Sequence, residues 1–197
     1  MKEAVCKKCR REQAKLFLKG ERCLSSKCSF VKRPYAPGPA GQNRAGKFSD
    51  YKKQLRAKQK ARTIYGIYEK QFKKYYLEAA KSKGMTGATL LQLLERRLDN
   101  VVYRSGFCFS RAEAKQYISH RHVMVNDKIL NIPSYLIKEN DTIKLIDKDK
   151  KINKKSEIPV WIKLDNKDLK ASIIKYPTRE DIETEIEEQL IVEFYSR

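Results

Sequence analysis

Several features of catalytic and membrane proteins are missing from this sequence. It has no P-loop, dinucleotide-binding, nucleophile-elbow or HExxH motif, so the usual carriers of nucleotide hydrolysis, hydride transfer, esterase and metalloprotease chemistry are absent. No segment approaches the roughly 18 to 20 consecutive apolar residues of a membrane span. The first residues lack the apolar core of a signal peptide. We therefore expect a cytoplasmic protein that is not an enzyme, with no membrane partner and no small-molecule substrate.

Acidic residues are scarce in one half of the chain. Residues 1–98 contain 26 Lys and Arg against 7 Asp and Glu, whereas residues 99–197 contain 18 against 17. Within residues 1–62 the basic side chains alternate with Tyr35, Phe48 and Tyr51. Such segregation exceeds what solubility needs, and it is typical of a surface that follows phosphates and stacks bases. Nucleic acid is the leading partner; a solvated charged face is the alternative.

Cysteines are also few, and their spacing is informative. Four of the five are Cys6, Cys9, Cys23 and Cys28. Two close pairs on separate turns predict one tetrahedral site of four thiolates. The neighbouring bases favour thiolates and make the segment basic. Structural Zn²⁺ is the expected cofactor, and an iron–sulfur cluster is the alternative because thiolates suit both.

The composition predicts an α+β fold with antiparallel strands. Its parts are a four-cysteine metal knot (1–31), a Pro/Gly-rich arm (32–48), a basic helical domain (49–86) completed by a C-terminal helix (178–197), and a small α/β RNA-binding module with a strand extension (87–177, core about 90–150).

Capping residues and apolar periodicity predict the helices. Ser49 or Asp50 starts a helix that runs to Ile64, and Gly66 ends it. We expect Thr89 to cap a single helix with the apolar positions Leu90, Leu91, Leu94, Leu98 and Val101. Ser110 and Glu113 form a capping box. The last helix is predicted from Ile182, Ile186, Leu190, Ile191 and Phe194.

The strands are predicted in the second half of the chain. Residues 123–125 and 128–130 flank the turn pair Asn126-Asp127, which is typical of a two-residue hairpin. Residues 141–146 and 158–164 supply further strands, with a charged loop over 147–155 between them. Trp161 is interpreted as a core or interface anchor.

Four segments together carry a family likeness: CRREQAKLFLKGERC, SDYKKQLRAKQKARTIYGI, LERRLDNVVYR with SRAEAKQ and HVMVN, and PTREDIETEIEEQLIVEFYSR. In them the chain resembles the bacterial small-subunit ribosomal protein S-four (universal uS-four) family, in its zinc-motif form. The resemblance implies a primary binder of small-subunit (16S) rRNA that nucleates assembly of the subunit body. It also implies neighbouring small-subunit proteins as partners, above all protein five, with a role in translational accuracy and with messenger RNA as a further partner. The implied location is on the ribosome.

The candidate RNA-contacting residues fall into two groups. The first comprises the bases and one ring of the knot, arm and first long helix: Lys7, Lys8, Arg10, Arg11, Arg22, Arg33, Arg44, Lys47, Tyr51, Lys52, Lys53, Arg56, Lys58, Lys60 and Arg62. The second follows the module motifs of the family: Arg96, Arg97, Arg104, Ser110, Arg111, Lys115, His120, Arg121 and His122. No catalytic residue is predicted.

The loop of the histidine pair departs from the family. Arg121 and Asp127 occupy positions where the family commonly has Gly, so left-handed backbone there would need a non-glycine residue. A metal site at His120 and His122 is the alternative to RNA contact. It is disfavoured because no Cys or carboxylate lies close in sequence.

Two other functions compete with rRNA binding. Residues 180–193 contain seven acids and no base, which repels phosphate and predicts that the C-terminal half docks another protein. An RNA-modifying enzyme that carries the module as a targeting device would need a catalytic constellation outside it, and the sequence offers none.

Overall fold

The computed structural model describes residues 4–42, 49–147, 157–165 and 168–197. They divide into two units, residues 1–72 with 186–197, and residues 73–185. Among the described residues, no helix combines the length and apolar character needed to cross a membrane.

The first unit is helical. Its elements are α1 (Val5–Glu12), α2 (Glu21–Leu24), α3 (Ser29–Lys32), a short 3-10 turn (Pro39–Gln42), α4 (Asp50–Ile64), the start of α5 (Glu69–Lys81) and the last helix, α9 (Glu188–Tyr195). The predicted start and end of α4 are confirmed. The Ser49 side chain accepts a hydrogen bond from the backbone N–H of Lys52, and Gly66 takes a left-handed φ of +63° after the helix.

The packing of α4 against α9 depends on polar groups as well as apolar ones. The buried residues of α4 are Gln54, Lys58, Ala61 and Ile64, which lie on one helical face. Lys58 donates to the Glu69 carboxylate at 2.8 Å, and the hydroxyl of Tyr195 donates to the same oxygen at 2.7 Å. One carboxylate therefore joins α4, α5 and α9.

Glu69 makes the first unit sensitive to acid. Burial pushes its pKa upward, but hydrogen bonds from Lys58 and Tyr195, and the charges of Lys58 and Arg62, outweigh burial and hold the pKa below its usual value. A depressed native pKa stabilises the fold above the unfolded-state pKa, and this stabilisation is lost as the pH falls through the native pKa.

We expect Glu69→Gln to speed amide hydrogen exchange in α9 at neutral pH, because the charged acceptor is removed. The difference from the parent protein should shrink as the pH falls through the lowered native pKa of Glu69, where the parent carboxylate also becomes neutral. Glu21→Gln, an exposed acid on α2 of the same unit, is the matched control and should leave exchange in α9 unchanged. A difference that persists undiminished in acid would contradict this assignment.

The second unit is an α+β module. Its elements are α6 (Thr86–Glu95), α7 (Leu98–Arg104), α8 (Arg111–Ser119), β1 (Val123–Val125), β2 (Lys128–Ile129), β3 (Thr142–Leu145), β4 (Ile162–Asp165) and β5 (Lys170–Ile173). The strands form an antiparallel sheet in the order β2-β1-β3-β5-β4. The core lies between this sheet and helices α7 and α8, and Trp161, 1% exposed, is part of it. The α+β class and the Trp161 interpretation are confirmed.

The predicted hairpin is also confirmed, without glycine. Val125 pairs with Lys128 across the turn, and Asn126 and Asp127 take φ values of 47° and 62°. The Asn126 amide donates to Asp141 at 2.7 Å, and its oxygen accepts from the backbone of Thr142 at 2.9 Å. Side-chain bonds therefore help hold a backbone that glycine would adopt freely.

Several predicted boundaries were wrong. The leucine-rich segment forms two helices, not one, because the chain breaks at Arg96 and Arg97, where Arg97 forms an isolated bridge with Leu136. The first of the two begins at Thr86, and Thr89 lies inside it with its hydroxyl bonded to the Met85 carbonyl. Thr89 therefore does not cap a helix.

The C-terminal helix is shorter than predicted, and one strand was missed. Ile182 and Ile186 are buried but lie before α9. There Asp181 accepts from the backbone and hydroxyl of Thr178, which favours a turn over a helix. Strand β5 was absent from the prediction, and the predicted strand over 158–164 begins only at Ile162. Most of the predicted charged loop, residues 148–155, lies outside the described residues.

Candidate nucleic-acid interface

The four N-terminal cysteines approach one another in the first unit. Cys6 and Cys9 lie on α1, Cys23 on α2, and Cys28 immediately before α3. Burial raises the pKa of Cys9, and a hydrogen bond with the backbone of Leu16 lowers it in part. The nearby charges of Cys23, Cys6 and Cys28 raise this pKa further. Cys9, Cys23 and Cys28 are buried. Within the described ranges, no group of three or more His, Cys, Asp or Glu side chains meets the geometry of a metal site.

Two of the predicted RNA-contacting arginines hold the cysteine segment in place. The Arg56 guanidinium on α4 pairs with both carboxylate oxygens of Glu12 on α1, while burial and the charge of Arg11 lower the pKa of Arg56. Arg10 donates to the carbonyls of Tyr35 at 2.9 Å and Ala36 at 3.3 Å and lies over the Tyr35 ring. These contacts fix α1 on α4 and on the start of the arm.

The other basic residues of the first unit form its candidate contact surface. Among the predicted contact residues, the exposed bases are Lys7, Arg11, Arg22, Arg33, Lys52 and Lys53, the ring of Tyr51 is also exposed, and the half-buried bases are Lys8, Lys60 and Arg62. Lys53 pairs with Asp50, and Arg62 lies 3.6 Å from Glu69. Lys58 is buried against Glu69 and the Phe194 ring, which argues against direct RNA contact. Arg44 and Lys47 lie outside the described residues.

In the second unit, the structure places Arg97 in the interior. Its guanidinium donates to both oxygens of Asp99, at 3.0 and 2.7 Å, and to the Tyr75 hydroxyl at 2.8 Å. Burial lowers the pKa of Arg97, but the hydrogen bond and charge of Asp99 and the contact with Tyr75 more than compensate and raise it overall. Arg97 is therefore a structural residue, as is Ser110, which is buried and caps α8 through the Glu113 N–H.

Two further module arginines, Arg104 and Arg111, are half-buried and held by protein partners. Arg104 donates to the buried carboxylate of Glu95 and to Thr184. Arg111 donates to Asn100 at 2.8 Å and lies over the Tyr103 ring. These contacts orient flat cations at the surface of α7 and α8, and fixed side chains lose little entropy when they bind phosphate.

A third arginine of the module is held in the same way. Arg96 donates to the Ile137 carbonyl at 3.1 Å and lies 4.0 Å from the centre of the Tyr176 ring. Lys115, also predicted as a contact, lies half-buried on α8. The partners Tyr103 and Tyr176 were not predicted, because aromatic residues far along the chain give no local signal of a cation contact.

The histidine pair belongs to a cluster that sequence reasoning missed. Tyr117, His120 and His122, the ring ladder, lie at the end of α8 and before β1. The rings of Tyr117 and His122 stack with centroids 4.7 Å apart, and those of His120 and His122 at 6.3 Å. Burial, together with the hydrogen bond to Asp147, raises the pKa of Tyr117. Arg121, between the histidines, is exposed with a left-handed φ of 66°.

Comparison with known proteins matches this arrangement to one family. The family described as "Ribosomal protein S4/S9 N-terminal domain" matches residues 1–95, and the S4 domain family matches residues 96–143. The chain is similar to the small ribosomal subunit protein uS4 of Natranaerobius thermophilus, with 50% identity over 98% of this chain and 97% of that protein. The uS4 proteins of Desulforapulum autotrophicum and Caldicellulosiruptor saccharolyticus are each 51% identical over 98% of this chain, covering 97% and 96% of their own lengths.

The chain belongs to the ribosomal protein uS4 family. As a member, it is a structural constituent of the small ribosomal subunit with an RNA-binding S4 domain, and not an enzyme. Its place is on the ribosome in the cytoplasm. The predicted family is confirmed, without its zinc-motif form, and so are the absence of enzymatic activity and the ribosomal location.

Proposed function

We propose that the chain is a primary binder of small-subunit (16S) rRNA that nucleates assembly of the subunit body. The observation that carries this proposal is the set of exposed bases on the first unit, in the half of the chain with 26 basic and 7 acidic residues. When Lys and Arg side chains neutralise RNA phosphates, bound counterions are released, and this release supplies affinity that does not depend on the RNA sequence. The deep, narrow major groove of A-form RNA hides base identity. Specificity must then come from the shape of the RNA, and we propose that the protein recognises a junction at which several rRNA helices meet.

Rigid presentation of the bases supports recognition by shape. Arg56 bound to Glu12, and Arg10 bound to the backbone at Tyr35, hold the cysteine segment on its helix. In the second unit, Glu95 holds the side chain of Arg104 and Asn100 holds that of Arg111. A basic face that keeps its geometry discriminates between arrangements of RNA helices, whereas a flexible one binds them all alike.

The decisive experiment is competition binding across a salt series. An rRNA junction fragment competes against tRNA and duplex DNA of equal charge for the full chain. We expect strong preference for the junction with a steep fall of affinity in salt. Equal binding to all three nucleic acids would overturn shape-specific rRNA recognition.

A matched pair of triple variants tests where the contacts lie. Arg11→Ala, Arg22→Ala and Lys52→Ala remove three exposed bases of the first unit, and Lys138→Ala, Lys163→Ala and Lys170→Ala remove three exposed bases from the nearly neutral half. If each of the first three contacts one phosphate, the slope of log affinity against log salt should fall by about 2 to 3. The control triple should leave it nearly unchanged. Equal losses in both triples would contradict a localised interface.

We also propose that the acidic C-terminal stretch contacts small-subunit protein five and thereby influences translational accuracy. Glu180, Glu183, Glu185 and Glu187 are exposed, and exposed carboxylates repel phosphate while attracting a basic protein surface. Crosslinking from this stretch in assembled subunits should capture a ribosomal protein. Crosslinks to RNA alone would contradict the proposal. Crosslinking from the exposed bases of the first unit on translating ribosomes tests messenger RNA as a partner.

Finally, we propose that Cys6, Cys9, Cys23 and Cys28 hold a structural Zn²⁺ ion. The chemistry of the residues supports this ion: the charges of Cys6, Cys23 and Cys28 act on Cys9, and thiolates are the ligands of structural zinc sites. Three of the four cysteines are buried, and exposed bases such as Arg22 and Lys27 lie beside them in sequence. Zinc would cross-link α1, α2 and the start of α3, and it would take no part in a chemical reaction. An iron–sulfur cluster is the alternative that the same sulfurs would suit.

A further inference from the structure

The ring ladder is fixed from one side by a carboxylate. Asp147 accepts a hydrogen bond from the Tyr117 hydroxyl at 2.6 Å and lies 3.0 Å from Nδ1 of His122. The planes of Tyr117 and His122 differ by 19°, and those of His120 and His122 by 28°. His122 is thus the shared member of two stacked pairs, and Asp147 holds it through a contact within the chain.

The ladder also borders a recess that is open to solvent. The recess has a volume of about 220 Å³ and is lined by Glu113, Gln116 and the three rings. His120 is exposed, and the His122 side chain is 38% exposed. Flat rings beside polar side-chain oxygens are the surroundings in which proteins bind a splayed-out base, by stacking on its face and hydrogen bonding to its edge.

The charge of the recess argues against a phosphate. Glu113 lines it, and Asp147 lies directly on Tyr117 and His122. Two carboxylates would repel a phosphate group. Glu113 Oε2 already accepts from the backbone N–H of Phe109 at 2.8 Å, but a carboxylate has further lone pairs, and these and the Gln116 oxygen are acceptors for an amino group.

We propose that the ring ladder binds an unpaired RNA base that stacks on His120 and directs an exocyclic amino group toward Glu113 and Gln116. The class of ligand is therefore an adenine, cytosine or guanine base of single-stranded RNA, in preference to uracil. This inference rests on the proposed RNA-binding function and assigns the histidine pair to base contact instead of phosphate contact.

The test measures binding of fluorescent single-stranded oligoadenylate and oligouridylate to the full chain across a salt series. Oligoadenylate should bind more tightly than oligouridylate. His120→Ala should weaken oligoadenylate binding about 5-fold or more, with an unchanged salt slope because no phosphate contact is lost. Arg121→Gln, which removes the exposed charge between the histidines, is the charge-loss control.

Two rescue variants separate stacking from charge. His120→Phe keeps a flat ring and should retain most of the affinity, whereas His120→Lys keeps a cation and should behave like His120→Ala. The proposal would be overturned if His120→Lys kept the affinity for oligoadenylate while His120→Phe lost it. It would also be overturned if His120→Ala bound oligoadenylate as tightly as the parent protein. Trp161 fluorescence verifies that each variant is folded.

Failure of the proposed function is distinguishable from failure of this inference. The proposed function stands or falls on the preference of the parent protein for the rRNA junction. The inference stands or falls on the dependence of oligoadenylate binding on the ring at position 120.

Discussion

Replacing Asp99 with alanine is expected to destabilise the second unit by about 3 to 5 kcal/mol, because removing one member of a buried ion pair leaves the other charge uncompensated. The Arg97 and Asp99 side chains are only 3% and 5% exposed. Both Asp99 oxygens accept from Arg97. Tyr75 also accepts a hydrogen bond from Arg97, and a neutral hydroxyl cannot balance a buried cation.

The measurement is urea unfolding followed by the fluorescence of Trp161, the single tryptophan, which lies in the core of the same unit. Asp168→Ala, an exposed acid of that unit, is the control and should change the free energy of unfolding by less than about 0.5 kcal/mol. The double variant Arg97→Met, Asp99→Leu should recover most of the lost stability, because it leaves no charge buried. A loss below about 1 kcal/mol in Asp99→Ala would contradict an uncompensated buried charge.

The same pair shows why the interface could be predicted only in part. The sequence LERRLDN offers two adjacent arginines that look alike. In the structure, Arg97 is buried on Asp99, while Arg96 is half-buried and lies over Tyr176. Which arginine faces inward is decided by the break between α6 and α7 and by the bridge from Arg97 to Leu136. No local pattern encodes that break, since the leucine periodicity continues through it.

Features set by a few neighbouring residues were predicted well. Ser49 and Ser110 bind backbone N–H groups within three residues, and the Asn126-Asp127 turn joins adjacent strands. Each depends on hydrogen bonds or backbone angles that the residue types themselves favour. The class of the fold was predicted from signals of the same local kind, the helical periodicity of apolar residues and the short strand-like segments.

Features set by distant residues could not be predicted. Arg56 and Glu12 are 44 residues apart, and Tyr117 and Asp147 are 30 residues apart. Both contacts determine what the candidate site can do. The first uses a predicted RNA-contacting base to fix the cysteine segment, and the second orders the ring ladder.

The Zn²⁺ ion proposed at the four cysteines should contribute much of the stability of the cysteine segment. Within residues 4–31 the buried apolar side chains are Leu16 and three cysteines. Phe17, Leu24 and Val31 are 42%, 62% and 52% exposed. So little apolar burial cannot offset the entropy of ordering the segment. Zinc bound to four thiolates supplies roughly 10 to 16 kcal/mol of apparent binding free energy.

We therefore expect Cys9→Ser, or treatment of the parent protein with a strong chelator, to remove the metal and to expose residues 1–31 to protease. Metal content by mass spectrometry and the sites of limited proteolysis report the two effects separately. Cys108→Ala removes a buried cysteine of the second unit and should leave both unchanged. Visible absorbance of the purified protein separates the two metals, because an iron–sulfur cluster is coloured and zinc is not.

Full protease resistance of the metal-free segment would show that Arg56 on Glu12 and Arg10 on the arm suffice to order it. The fixed geometry of this basic face would then come from ion pairs instead of from a metal.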